Sequence, residues 1–171
     1  MHKTHTDMKK IDNDTILFQY STDDIFNNVA LKTSYKSRFV SDDGRVVDEL
    51  TLMDDDKGAF NANLQKVMAD IYERIIKLTS AVDDAYSISE SMVSFKVQNN
   101  SAYNTNILSL VDASIYDCIE TGSIKEWYSV CGKADYEQEY AAKYAAALSL
   151  LSSRMFQLKK KSVKNTLGNI E

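Results

Sequence analysis

The chain has 171 residues, is 44% apolar and 26% charged, and carries a net charge of −5 at pH 7; this is ordinary globular composition, enough for one domain with its own core. The acidic balance argues against a surface given over to nucleic acid, whose phosphates need clustered Lys and Arg. No apolar run approaches the ~20 residues of a membrane span, and there is no proline and only five glycines, so a soluble, cytoplasmic and helix-rich chain is expected.

Residues 1–14 are polar and aperiodic and are expected to form a flexible arm. Its His2 and His5 have no third ligand nearby, so no metal site is expected there. Ile16 to Tyr20 is a short apolar run with the length of a strand. Ser21, followed three residues later by Asp24, is a variant capping box. It predicts a helix to about Lys36 with Ile25, Phe26, Val29, Ala30 and Thr33 on its buried face. The stretch SRFVSDDGRVVDEL, with its Asp43-Gly44 turn signal, is expected as a loop rather than a hairpin. Asp54 to Asp56 suit a helix N-terminus. The spacing of Phe60, Leu64, Val67, Met68, Ile71, Ile75 and Leu78 then predicts a helix to about Ser80, with Gly58 in its first turn.

Met92 to Val97 alternates apolar and polar residues at the period of a half-buried strand. A lone strand leaves its backbone unsatisfied, so this one is expected to pair with Ile16–Tyr20 or with another subunit. A long helix is predicted from near Asn104, carrying Leu108, Val111, Ile115, Cys118, Ile119, Trp127, Val130 and Cys131. Gly122 lies inside it, with a bend expected at ETGS, and Gly132 supplies a left-handed stop. Asp135 is placed to cap a final helix bearing Tyr140, Tyr144, Ala147, Leu148, Leu151, Met155 and Leu158. Lys159, Lys160 and Lys161 complement its C-terminal dipole, and residues 162–171 form a second flexible arm. The expected fold is mainly α with a minor α+β character. It is an antiparallel bundle of about four helices, three of them long, in one domain over 15–161 with a small β element and flexible arms.

No motif dictates a chemistry. Cys118 and Cys131 are too few for a disulfide scaffold and sit at helical core spacing; with no histidine beyond the first five residues to act as base, they are expected as buried reduced thiols. The aspartate clusters fit no calcium loop. Asp117-x-x-Glu120 echoes half of the magnesium-binding pattern of all-helical nucleotide pyrophosphatases. The other half is missing, because Tyr140 stands three residues after Glu137. No catalytic residue, cofactor or metal is therefore expected. The acidic stretch Asp42–Asp56 and the basic run Lys159–Lys164 give a polarity that suits head-to-tail contacts, and Tyr136, Tyr140 and Tyr144 stand on successive turns, suited to packing on another helix.

Three stretches resemble the head-tail connector, or neck ring, proteins of tailed phages and prophages of gut Bacteroidales. The first is YSTDDIFNNVALKTSYKSRFVSDDGRVVDELTLMDDDKGAFNANLQKVMADIYERI and the second MVSFKVQNN. The third is YDCIETGSIKEWYSVCGKADYEQEYAAKYAAALSLL, similar to the Trp-Tyr, short turn and Tyr-rich helix of that family. The resemblance spans roughly residues 15 to 160. It implies a non-enzymatic virion adaptor at the neck, made in the host cytoplasm and forming a dodecameric ring of identical copies. Such a ring contacts the portal protein and other neck or tail proteins, surrounds DNA only as non-specific cargo and has no membrane partner. Residues expected at subunit or partner interfaces are Val93, Phe95 and Val97 of the strand, Trp127, Tyr128, Tyr136 and Tyr140 of the helical corner, and Lys159, Lys160 and Lys161. A helical scaffolding module outside the virion is the alternative, and a divalent-metal nucleotide pyrophosphohydrolase a more distant one.

Overall fold

The computed structural model describes residues 9–12, 15–38, 50–76, 86–89, 91–100 and 103–159. The chain is mainly helical with a small antiparallel sheet. In order the elements are β1 (Lys9–Asp12), β2 (Thr15–Ser21), α1 (Thr22–Arg38), α2 (Lys57–Ile76), β3 (Tyr86–Ile88), β4 (Met92–Gln98), α3 (Leu108–Val130) and α4 (Ala134–Lys159). Single 3₁₀ turns at Asp54–Asp56 and Thr105–Ile107 lead into α2 and α3. The expected DDG loop, His2, His5, Leu78, Lys160, Lys161 and the expected arms apart from Lys9–Asp12 lie outside the described residues.

The sheet runs β1-β2-β4-β3. Its central pair sets Ile16 opposite Val97, Phe18 opposite Phe95 and Tyr20 opposite Val93, while Leu17–Lys96 and Gln19–Ser94 occupy the other face. This is the two-residue period acting on both strands at once. The strand Met92–Val97 thus finds its partner inside the chain and is flanked on its other side by β3. β3 was not expected, since Tyr-Ser-Ile is too short to show a period. Lys9–Asp12, expected within the arm, instead forms an edge strand on β2 with an irregular register between Lys10 and Asp12.

α1 starts where β2 ends, with the Asp24 N–H donating to Ser21 Oγ at 3.2 Å as the capping pattern predicts. The corner from α3 to α4 is closed by a complete Schellman motif. Gly132 adopts φ 65°, the Gly132 N–H donates to the Ser129 carbonyl at 3.1 Å and the Lys133 N–H to the Tyr128 carbonyl at 3.0 Å. Because Lys133 already accepts the first bond of α4 from the Glu137 N–H, that helix begins at Ala134. Asp135 therefore lies in its first turn, favourable to the dipole, rather than at the cap.

α3 is the axis of the domain, packing antiparallel on α4 most extensively and then on α2 and α1. Where α2 and α4 converge on it stands Gly122. A Cβ added there would lie 2.7 Å from Val67 Cγ1 and 2.9 Å from Tyr144 Cε2. The glycine is therefore a packing requirement, and α3 continues unbroken through it. α1 runs parallel to α3, since its partners advance with it: Asn28 donates to the Tyr116 hydroxyl and Lys32 pairs with Glu120. Among the sheet residues, the Tyr20 hydroxyl donates to Asp112 Oδ1 of α3 at 2.8 Å. Burial first, and the Asp112 carboxylate second, hold that hydroxyl well above the usual tyrosine range, which keeps it a donor. Leu50 and Leu52, unforeseen core residues from the segment before α2, are buried against the same assembly.

One substitution made at two glycines should give opposite signs. Gly58→Ala meets nothing within 4 Å and should raise stability by up to about 1 kcal/mol through helix propensity. Gly122→Ala gains the same propensity but must displace Val67 and Tyr144, and overpacking of about 1–3 kcal/mol should leave it less stable than wild type. Urea denaturation of the two variants reads both signs.

Candidate functional site

The residues expected at an interface divide sharply. Val93, Phe95 and Val97 are fully buried in the chain's own core. They correct the expectation that these side chains meet a neighbour: β4 pairs along its whole length with β2 and over Val93–Phe95 with β3, and its apolar face lies in the core. Trp127 is 6% exposed, and its indole N–H donates to the buried Leu50 carbonyl at 3.0 Å. It anchors the segment before α2 to α3 and is not an interface residue. Tyr128 is likewise fully buried. Tyr136 and Tyr140, one turn apart on α4, are half-buried and lie against the Tyr128 ring with centroids 5.3 and 5.6 Å away. Lys159 is exposed at the end of α4.

The corner is closed from outside by cations. Lys36 of α1 lies 5.0 Å from the Tyr136 ring centroid and Lys143 lies 4.3 Å from that of Tyr140, within cation–π range. Both ammonium groups bond the same carboxylate, Glu139, at 2.7 Å. The bond from Lys143 first, then that from Lys36, holds the Glu139 carboxyl below its ordinary value, and the same bond raises Lys143. Inside the cluster, burial pushes the Tyr128 hydroxyl up. It is one of two buried side-chain atoms, with Ser123 Oγ, that have no hydrogen-bond partner among the described residues.

The groups with chemical potential do not converge. Burial pushes the Cys118 thiol up to about 12, which leaves almost no thiolate near neutral pH. Cys131 is half-buried at the end of α3 rather than sealed in the core. Asp117 is exposed, whereas Glu120 is buried beneath Lys32. Among the described residues no group of three or more His, Cys, Asp or Glu side chains is placed to hold a metal ion.

Among the described residues, a groove about 410 Å³ in volume opens outward between α1 and α4 with α3 as its floor. Asp117 and Thr121 form the floor, Lys32 one wall, and Lys143, Ala146, Ala147 and Leu150 the other, with Tyr140 at the corner end. Towards that end α1 and α4 are tied by Lys36–Glu139. Towards the other end Leu110 and Ala113 of α3 stay exposed, and Arg154 of α4 donates to the Leu110 carbonyl at 2.7 Å. The sequence pattern had no means of finding this groove, because each of its three helices shows it only a flank. Protein-family models, characterised proteins and solved structures yield no match to this chain.

Two outcomes follow for the corner. Trp127→Phe should cost on the order of 2–4 kcal/mol, because it leaves the Leu50 carbonyl unpaired and opens a cavity. Tyr128→Phe should be neutral or stabilising by about 1 kcal/mol, since it removes a buried hydroxyl that lacks a partner. Thermal melts of the two variants measure both.

The Glu139 bridge predicts a pH dependence. Its folded pKa lies below the unfolded one, so its contribution is fully present above the ordinary value of 4.5 and is lost as pH falls through the lowered value. Denaturation between pH 7 and pH 3 should show the wild-type advantage over Glu139→Gln vanishing only in the acid part of that range.

Proposed function

We propose that the chain is a structural subunit of a tailed-phage neck, a non-enzymatic adaptor that assembles into a ring between portal and tail. The family-like pattern over residues 15 to 160 motivates the reading. One observation of the fold supports it further: several large apolar side chains stay exposed on the three helices that form the groove. Leu31 is 53% exposed and Leu150 44%, with Tyr35 on the outer side of α1 and Leu110 at the open end of the floor also exposed. Isolated exposed apolar residues are normal, but several of them on the helices that frame one groove offer surface that association would bury.

The β4 side chains make no contribution to this reading, since Val93, Phe95 and Val97 are fully buried in the chain's own core. What remains is a helical body whose contacts to neighbours come from helix flanks, with a rigid corner that fixes α1 against α4. A scaffolding role outside the virion would use the same surface, and location separates the two. Mass spectrometry of purified virions of the phage or prophage that encodes the chain should find it in multiple copies, and the purified protein should bind the portal protein of the same virion. A chain missing from virions that also fails to bind portal would remove the reading.

A further inference from the structure

We propose that the groove between α1 and α4 receives the Met53–Asp55 turn of a second copy of this chain, a contact that runs head to tail. The inference rests on the ring reading above and names the surfaces that would build the ring.

The groove is apolar between two cations. Leu150 and Ala146 offer exposed apolar surface, while the Lys32 and Lys143 side chains keep 50% and 49% of their surface in solvent. Their carboxylate partners are more sheltered, Glu120 at 10% and Glu139 at 38%. The outermost charges on both walls are thus positive. Asp117 in the floor is the opposing charge.

The turn has the complementary character. Met53 is an exposed large apolar side chain, and the exposed Asp54 and Asp55 follow it directly. It is also held rigid. The Met53 N–H donates to Asp56 Oδ2 at 2.9 Å, the Asp56 N–H donates back to the Met53 carbonyl at 2.9 Å, and Lys57 stands 3.6 Å from both Asp54 and Asp23. A preformed knob loses little entropy on binding.

Within one molecule the two features cannot meet. The segment before the turn packs on Thr33 and Ser37 of α1, through the Leu52 N–H to Thr33 Oγ1 at 3.3 Å and Thr51 to Ser37 at 3.2 Å. Lys32 faces Glu120 and the groove, and at about 100° per residue it stands on a different side of α1 from Thr33 and Ser37. Knob and socket on separate flanks produce a heterologous contact, which repeats around a ring or along a filament.

A charge exchange tests the contact, using positions outside the bonded network. In sedimentation velocity over a concentration series, the full chain should self-associate, more weakly as salt rises. Ala146→Glu places a negative charge in the groove, and Asp55→Lys reverses the knob. Each should weaken association about tenfold or more with unchanged thermal melting, and the double variant should recover most of the loss. Asp117→Asn should strengthen association. Single variants that assemble like wild type, or a double variant with no recovery, overturn the contact while leaving a ring built on other surfaces. A wild-type chain that remains monomeric at every concentration also overturns it, and the neck reading is then judged by portal binding alone.

Discussion

The structure depends on the close approach of α2 and α4 to α3 at Gly122. With Val67 and the Tyr144 ring inside the space a side chain would fill, α3 becomes a shared axis rather than one member of a ring of equal helices. In its second half nearly every side is covered: Glu120, Gly122, Ser123, Ile124, Trp127 and Tyr128 are all buried. A helix enclosed on all sides should be apolar all round, and this one is not: several of its polar groups are answered one by one, while Ser123 Oγ and the Tyr128 hydroxyl have no partner among the described residues. Glu120 accepts from Lys32, the Trp127 indole N–H donates to the Leu50 carbonyl, and Ser114 Oγ accepts from Arg154. These bonds reach α1, the segment before α2, and α4, and so each also locates an element around the axis.

That arrangement decides how much the sequence could disclose. The stripes of α2 and α4 and the alternation in Met92–Val97 were legible because each element buries one face, and periodicity reports a face directly. Gly132 was legible because a left-handed stop needs only local geometry. Periodicity does not say what covers a face. Val93, Phe95 and Val97 therefore read equally well as an interface, and Trp127 as core or contact, until the partners of each were seen. Gly122 read as a helix weakness because its reason lies in two other helices. β1 and β3 were missed on a different ground: three or four residues are too few to display a period, and pairing with β2 and β4 makes them strands.

The same construction explains why a groove exists. α1 is joined to α3 by side bonds at successive turns, Asn28 to Tyr116 and Lys32 to Glu120, and to α4 near the corner by Lys36 to Glu139. Near the corner the gap between α1 and α4 is filled by Tyr136 and Tyr140 stacked on Tyr128, and Ile124 beneath is sealed. Two and three turns earlier on α3, Asp117 and Ala113 are open to solvent. Closing that half as well would need bulky residues on α4 where Ala146 and Ala147 stand. Alanines there keep the groove open, while the charged clamp at the other end keeps its walls at a fixed spacing. A cleft rigid at one end and lined by small residues at the other can receive a preformed partner without reorganising the core beneath it, which is the condition under which a modest apolar contact becomes an association.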